Sequence, residues 1–453
     1  MKVHFIAIGG SAMHSLALAL QKKGYTITGS DDEIFEPSKG NLMNAGLLPK
    51  EQGWHPENIT SGLDAVILGM HAREDNPELQ KARELKLKIY SYPEYLFEQT
   101  KDKTRVVIGG SHGKTTITSM IIHVLNFHKF KFDFMVGARI DGFDNMISLS
   151  EDSLMAIFEG DEYLSSTLDP RPKFHIYKPN IAVLSGIAWD HFNVFATFEM
   201  YVEQFKIFIE NIEPNGCLIY CADDPLVAGI ALIARDDVKS NPYSFHSYEI
   251  DDNQVRLIYD NKKYPINIFG KHNMQNISAA KQVCKLLGIT DNQFYEAIGS
   301  FKGAAKRLQL IGKNEYTNIY LDYAHSPSKL RATIKAVKER FPDRQLVACI
   351  ELHTFSSLSE EFLQQYYGTM EGADSAIVYF NPHAVEAKRL KTLSEDTVAK
   401  AFSTKHLSVF KDSKELIKEL KSVDWKNKNL LLMSSGNFDG IDINELASAL
   451  LVL

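Results

Sequence analysis

The sequence predicts an α/β fold made of three consecutive α/β domains. Three observations carry this reading. The chain has 453 residues, 44% of them apolar, which at about 150 residues per domain is length for three cores. Short apolar runs alternate with helix-period segments from end to end, the pattern of parallel strands joined by crossover helices. Several of these runs end in glycine turns or polar clusters, where α/β sheets hold ligands.

In the first region, Val3 to Ile8 is a short apolar strand and Gly9-Gly10-Ser11 a turn. Ala12 to Lys23 is a helix, with Met13, Leu16 and Leu20 on one face. Gly24 ends it, where positive φ is favoured. Strands follow at Tyr25–Thr28, Ala65–Leu68 and Leu87–Tyr90, with a helix from Asn76 to Leu85. The polar stretch Glu98–Lys103 marks the first boundary, giving domain 1–101. The second region has strands at Val106–Ile108, Ala156–Phe158, Ile181–Leu184, Gly216–Tyr220 and Pro242–Ser244. Its helices are Thr115–Phe127 and Asn276–Leu287. It closes near Gly303, giving domain 102–302. The third, 303–453, has strands at Ile319–Leu321, Gln345–Ile350, Ala376–Phe380 and Leu430–Met433, and a helix at Ser328–Arg340.

Composition narrows the function. Fifty Lys and Arg against 57 Asp and Glu give a net charge of −7, which excludes a generally basic nucleic-acid-coating protein. Charged residues are 24% of the chain, close to the globular average, so wholesale disorder is not expected. No stretch reaches 18 uninterrupted apolar residues, so no membrane partner is expected. The N-terminal apolar run is broken by Gly9 and Gly10, with no small-residue cleavage site before Gln21. It reads as strand, turn and helix, not as a signal peptide. Four sparse cysteines, Cys217, Cys221, Cys284 and Cys349, point to a reducing compartment, the cytoplasm, and complete no zinc site.

The strongest local signal is VVIGGSHGKTT, Val106 to Thr116. A strand enters a glycine-containing loop, and Lys-Thr opens a helix. Backbone N–H groups of Gly110, Ser111, His112 and Gly113 would converge on phosphate oxygens at the helix N-terminus. Lys114 would neutralise the β/γ-phosphates, and Thr115 would offer its hydroxyl to Mg²⁺, beside Thr116. The loop is shorter than the full G-x-x-x-x-G-K-[ST] form. At the N-terminus, Gly9-Gly10-Ser11 also joins strand to helix, with Asp31 and Asp32 about 20 residues on. Spacing alone is compatible with a dinucleotide site or with a plain tight turn, since Ser11 and His14 stand where glycines belong.

Two further clusters follow apolar strands. One is Glu159-Gly160-Asp161-Glu162, the other Trp189-Asp190-His191. Glu159 and His191 would meet Thr115 at Mg²⁺, but Mg²⁺ prefers oxygen. On chemistry alone His191 reads as a hydrogen-bonded histidine at a strand end. Arg307 would hold a phosphate bidentately, and Asp322 would accept from ribose hydroxyls.

Together these segments resemble the Mur ligase family, ATP-dependent ligases of peptidoglycan synthesis. The resemblance rests on GSHGKTT at 110–116, FEGDEY at 158–163, WDHFNVF at 189–195, GKHNMQN at 270–276, KRLQL at 306–310 and DYAHSP at 322–327. It implies a Rossmann-like N-terminal UDP-sugar domain, a P-loop central ATPase domain and a Rossmann-like C-terminal ligase domain. The resemblance also implies roles. Gly9, Gly10, Ser11, Ser30, Asp31, His71 and Asn76 would serve the UDP-sugar. Gly110 to Thr116, Asn273, Asn276, Arg307 and Asp322 would serve ATP. Thr115 and Glu159 would bind one Mg²⁺ and His191 would belong to a second Mg²⁺ site, and Lys114, His191, Arg307 and His325 would act in catalysis. Lys206, about fifteen residues beyond His191, stands where some members carry a carbamylated lysine.

The chain is most similar to the branch that uses UDP-N-acetylmuramate. That branch joins L-alanine, or the tripeptide L-alanyl-γ-D-glutamyl-meso-diaminopimelate, to the muramyl carboxylate through an acyl phosphate. Asp169-Pro-Arg-Pro-Lys-Phe174 and MSSGNFDGI at 433–441 resemble the tripeptide-adding, recycling member. L-alanine addition is the alternative. Gln309 replaces the glutamate usual after the Arg-Leu pair, and Glu351-Leu-His-Thr-Phe-Ser356 replaces a stretch that usually contains arginine. An NAD-dependent oxidoreductase is supported only by the N-terminal turn. A non-catalytic nucleotide-binding relative is opposed by the retained Lys114, Thr115, Glu159 and His191.

Overall fold

The computed structural model describes residues 1–70, 72–140, 142–189 and 194–452. The first sheet is fully parallel, in the order β2-β1-β3-β4. Its strands are β1 (Lys2–Ile6), β2 (Thr26–Ser30), β3 (Ala65–Leu68) and β4 (Ile89–Ser91). Helices α1 (Ser11–Lys22), α2 (Ser38–Asn44), α3 (Pro77–Glu84) and α4 (Tyr92–Thr100) accompany them. All four residues of β3 are buried, as expected of a strand covered on both faces.

The second sheet has seven strands in the order β11-β10-β9-β5-β8-β6-β7. Its first elements are β5 (Thr104–Gly109), α5 (Lys114–Phe127), β6 (Asp133–Met135), β7 (Ile147–Ser148), β8 (Met155–Glu159), α6 (Lys173–Ile176) and β9 (Ile181–Leu184). Then come α7 (Phe198–Glu210), β10 (Cys217–Cys221), α8 (Pro225–Ala231) and β11 (Lys239–Tyr243). Only β7 runs antiparallel to its neighbour in this sheet. The phosphate-loop strand β5 is therefore central, and its loop lies at the carboxyl end of a parallel sheet. Arg105 secures the start of β5. Its buried guanidinium donates to the carbonyls of Thr100, Lys101, Lys103, Tyr177 and Lys178 at 2.7–3.1 Å, and to Glu213 at 3.0 Å. It thereby caps the end of α4.

A small antiparallel sheet follows, β12 (Tyr248–Asp251), β13 (Gln254–Tyr259) and β14 (Lys262–Ile266). Helices α9 (Lys271–Leu286) and α10 (Asp291–Ile298) come next. The last sheet has the order β15-β16-β20-β17-β18-β19. It contains β15 (Gln309–Lys313), β16 (Asn318–Asp322), α11 (Pro327–Arg340), β17 (Gln345–Leu352) and α12 (Glu360–Leu363). It continues with β18 (Ser375–Phe380), α13 (Pro382–Ala387), α14 (Glu395–Phe402), β19 (Leu407–Phe410), α15 (Ser413–Ser422), β20 (Lys428–Met433) and α16 (Ile443–Val452). All its strands are parallel except β15. Ile319, Val347, Cys349, Ile377, Leu430 and Leu432 alternate into one core with Leu416, Leu420 and Leu446.

Compactness divides the chain into two units. One holds Met1–Ile187, Glu199–Ser244 and Ala279–Ala297; the other holds Ala188–Phe198, Phe245–Ser278 and Ile298–Leu453. The expected strands are present, with ends moved by no more than three residues. Two features were not read from the sequence. The polar stretch Glu98–Lys103 is helical through Thr100, because Ser91 and Glu94 form a reciprocal capping box that starts α4 earlier. The antiparallel sheet β12–β14 was not expected.

Candidate active site

In the first unit, the phosphate loop leaves β5 at Gly109. Gly110 has φ +126, and a Cβ there would lie 2.4 Å from Ser185 Oγ; Gly113 caps α5 at φ +76. Glycine meets both demands at once, backbone freedom and close approach. The turn after β9 braces the loop. Ser111 N donates to Gly186 O at 2.8 Å, and Ser185 N and Oγ both donate to Gly109 O at 3.1 Å. Asp224 holds the far side of that turn. Its carboxylate accepts Ile187 N at 3.0 Å and caps α8 through Leu226 N and Val227 N.

Lys114 opens α5, and its Nζ donates to Gly110 O and to Glu162 Oε2, each at 2.7 Å. Burial by itself would lower the pKa of this ammonium, but the carboxylates of Glu162, Asp161 and Glu159 raise it above its ordinary value. Thr115 Oγ1 donates to Glu159 Oε1 at 2.7 Å, and Gly137 N donates to Glu159 Oε2 at 2.6 Å. The expected pairing of Thr115 with Glu159 is thus present. Among the described residues, no group of three or more His, Cys, Asp or Glu side chains is placed to hold a metal ion. A hydroxyl and a carboxylate beside a phosphate loop nevertheless fit Mg²⁺, which takes few protein oxygens and fills its shell with water and substrate phosphate. His191 and His71 lie outside the described residues. Lys206 lies about 140° around α7 from Tyr201, whose side chain meets the loop. Lys206 is partly exposed and pairs with Glu203 at 2.8 Å.

At the N-terminal turn, Gly9 N donates to Asp31 Oδ2 at 2.7 Å. A Cβ on Gly9 would lie 2.9 Å from both that oxygen and Ile34. Burial pushes the Asp31 carboxyl up to about 6, against the Gly9 hydrogen bond and with the help of Asp32. Ser30 and Asn76 are turned into the fold. Ser30 Oγ donates to the buried Glu78, and Asn76 caps α3. Glu78 also meets His4 Nε2 at 3.2 Å and accepts from His55 N at 2.6 Å. A fully buried carboxylate needs such donors, and it recruits Ser30.

In the second unit, Asp322 ends β16 and is buried. Its carboxylate accepts Leu308 N at 2.6 Å and Ala324 N at 2.7 Å. Burial raises its pKa against these bonds and the nearby Arg307. It thus ties the backbone just after Arg307 to the turn after β16, and the Arg307 guanidinium lies 4.6 Å from the Tyr323 ring centroid. Gln309 Oε1 accepts Lys306 N at 2.9 Å and closes that turn. His325 Nδ1 meets Tyr323 O at 2.9 Å. Asn273 donates to Phe269 O at 2.8 Å, and Asn276 donates to Asn273 Oδ1 at 3.2 Å; both are buried. The pairing of β17 with β20 sets Ile350 against Met433, which brings together two segments distant in sequence. The buried Glu351 accepts Ser434 Oγ and, at 2.8 Å, Phe438 N. Gly436 fits there because a Cβ would lie 2.7 Å from His353.

Family models match three successive stretches: residues 2–104 the Mur ligase family catalytic domain, 108–284 the Mur ligase middle domain, and 306–436 the Mur ligase glutamate ligase domain. The UDP-N-acetylmuramate–L-alanine ligase of Arthrobacter sp. is 31% identical over 391 residues, covering 83% of this chain and 80% of that protein. The chain belongs to the Mur ligase family. It is an ATP-dependent ligase that forms amide bonds, with three α/β domains. Two solved structures share its fold along nearly the full length. UDP-N-acetylmuramate-alanine ligase from Thermotoga maritima has a TM-score of 0.71 at 21% identity, covering 97% of each chain. A murein peptide ligase from Psychrobacter arcticus has a TM-score of 0.65 at 23% identity, covering 100% of this chain and 99% of that one.

The stretch resembling the tripeptide-adding Mur ligase is ion-paired. Arg171 contacts Asp169 at 2.7 Å and Glu94 at 3.0 Å, and Lys173 contacts Asp161 at 2.6 Å. Sequence reasoning did not assign Tyr201, Ser185 or Asp224 to the phosphate loop. Asp223-Asp224-Pro225 was readable as a helix cap, whereas Tyr201 carries no local signal.

Proposed function

We propose that this Mur ligase joins the lactyl carboxylate of UDP-N-acetylmuramate to the amine of L-alanyl-γ-D-glutamyl-meso-diaminopimelate, in peptidoglycan recycling. The observation that carries it is the Asp161–Lys173 clasp. The stretch Asp169–Phe174 folds back on the acidic segment beside the phosphate loop through Lys173 and Asp161. The contact supports the reading because it sets the stretch resembling the recycling ligases against a segment that follows β8. L-alanine addition is the second reading, favoured by the names of the curated relatives. We further propose domains at 1–101, 102–302 and 303–453, and action in the cytoplasm, in keeping with the four free, buried cysteines.

A carboxylate is a poor acylating group because its leaving group would be oxide. Attack on the γ-phosphate of ATP makes an acyl phosphate and ADP. The peptide amine then attacks the acyl carbon and expels phosphate. The first step brings anions together and needs fixed positive charge. Lys114 would supply it at the β/γ-phosphates and Arg307 at the γ-phosphate. The loop amides from Gly110 to Gly113 would hold the phosphates, with Thr116 behind them. Thr115 and Glu159, with His191, would hold Mg²⁺, which when bound would neutralise phosphate charge. Asn273 and Asn276 would lie by the adenine, Asp322 by the ribose and His325 by the phosphates. Gly9, Gly10, Ser11 and Asp31 would face the UDP diphosphate and uridine, with His71 nearby and Ser30 and Asn76 shaping the wall.

Phosphate release from ATP with UDP-N-acetylmuramate tests the acceptor. Release with the tripeptide and not with L-alanine is expected. Release with L-alanine alone would overturn the reading of Arg171, Lys173 and the 433–441 segment while leaving the ligase chemistry intact.

A further inference from the structure

We propose that Glu162, held by Tyr201, is a positioning residue of the phosphate loop, fixing the direction of the Lys114 ammonium before nucleotide arrives. The proposal rests on the reading of Lys114 as the phosphate-contacting lysine.

A lysine at the start of a helix carries its charge on a flexible four-carbon stem, so the loop backbone alone does not aim it. Here two contacts do. Nζ donates to Gly110 O and to Glu162 Oε2, each at 2.7 Å. An ammonium has three N–H donors, and among the described residues Lys114 makes no further polar contact. One donor is therefore left for a phosphate oxygen.

Glu162 is itself fixed. Its side chain is 1% exposed, and a carboxylate so buried needs donors around it. Lys114 takes one oxygen, and Tyr201 OH donates to the other at 3.0 Å. Tyr201 is fully buried on α7, and its hydroxyl also meets Ser111 Oγ at 2.8 Å. The chain of contacts runs from Ser111 through Tyr201, Glu162 and Lys114 to Gly110. Both ends lie in the phosphate loop, so the network ties the direction of the lysine to the shape of the loop it serves.

A buried ion pair adds little net stability compared with apolar packing, but it specifies geometry. The cost falls on nucleotide affinity, because Glu162 repels the incoming polyphosphate. Removing its charge therefore has opposed effects on binding, and a single unfavourable effect on the aimed transition state. For Glu162→Gln we expect ATP affinity within about threefold of wild type and kcat lower by about 100-fold, the scale of an ångström of misplacement.

The test measures kcat and ATP affinity for wild type, E162Q, Y201F, E162Q/Y201F and K114A, each checked for folding by circular dichroism. Y201F keeps the buried ring and is expected to lower kcat by about tenfold, since it removes one of the donors to Glu162. The double variant is expected to be no slower than E162Q, because both act through one lysine. An E162Q kcat within twofold of wild type, or losses that multiply in the double variant, would overturn the proposal. If E162Q does not fold, Y201F with wild-type kcat overturns it and Y201F with the tenfold loss supports it. K114A separates the two levels. An active K114A would sink the reading of Lys114 itself, whereas an inactive K114A beside a fully active E162Q would sink only the role of Glu162.

Discussion

Replacing Gly110 by alanine should cripple nucleotide binding far more than the same change at another positive-φ glycine. The backbone at Gly110 has φ +126, a region that costs an L-residue about 1–3 kcal/mol. The new Cβ would lie 2.4 Å from Ser185 Oγ, and 3.0 Å from Ser185 N and from Gly186 O. Ser185 has little room to yield, because its hydroxyl is bonded to Gly109 O at 3.1 Å and to His112 O. Breaking those two bonds costs about 0.5–1.5 kcal/mol each. The total, about 2–6 kcal/mol, must emerge as lost stability or lost affinity. At about 1.4 kcal/mol per tenfold, the lower end is roughly 30-fold in ATP affinity. Gly24 is the control: φ is +90 and nothing lies within 4 Å of its Cβ position, so G24A should cost about 1 kcal/mol and leave ATP affinity intact. Titration calorimetry with ATP and urea unfolding read the two variants side by side. A G110A protein that binds ATP within twofold of wild type and unfolds like G24A would refute the argument.

Three further outcomes are expected. Lys103→Met leaves Asp133, whose side chain is 1% exposed, without the ammonium at 2.6 Å; unfolding should be easier by about 3–5 kcal/mol, and a loss under 1 kcal/mol would contradict this. Asp31 has a folded-state pKa of about 6 against an ordinary 3.8, so the folded state binds the proton more tightly and this group's contribution to stability falls as pH rises from about 4 to 6. Relative to D31N, the wild type should lose about 2–3 kcal/mol across that window, and a constant difference between the two would rule the shift out. Glu351→Ala removes the acceptor of Phe438 N, so hydrogen exchange at that amide should quicken by at least about tenfold, and unchanged protection would show that the loop after β20 is held by other means.

The parts of the molecule written as local patterns were legible in the sequence. β3 and β9 are apolar runs whose ends match the reading residue for residue. The phosphate loop is compressed into eleven residues, and Gly110 and Gly113 have the positive φ their positions suggested. The antiparallel sheet β12–β14 was missed although its turns are written plainly. Asp252-Asn253 and Asp260-Asn261 each take left-handed φ of 48–59°, the chemistry of a two-residue hairpin turn. The partners of Lys114 were illegible for a different reason. Glu162 meets Lys114, and Tyr201 meets Glu162, only because the segment after β8 and helix α7 pack beside the loop, and no spacing in the chain encodes that. The Ser30 hydroxyl bond to Glu78 was not legible, because a polar residue at a strand end serves a ligand or a buried charge equally well.

The most direct test of the ligase account follows an oxygen atom. With UDP-N-acetylmuramate labelled with ¹⁸O in its lactyl carboxylate, together with ATP and the tripeptide, the account predicts that each phosphate released carries one labelled oxygen. The bridging oxygen of the acyl phosphate leaves with phosphorus when the amine attacks carbon. Amide product accompanied by unlabelled phosphate would contradict activation of the carboxylate by phosphoryl transfer.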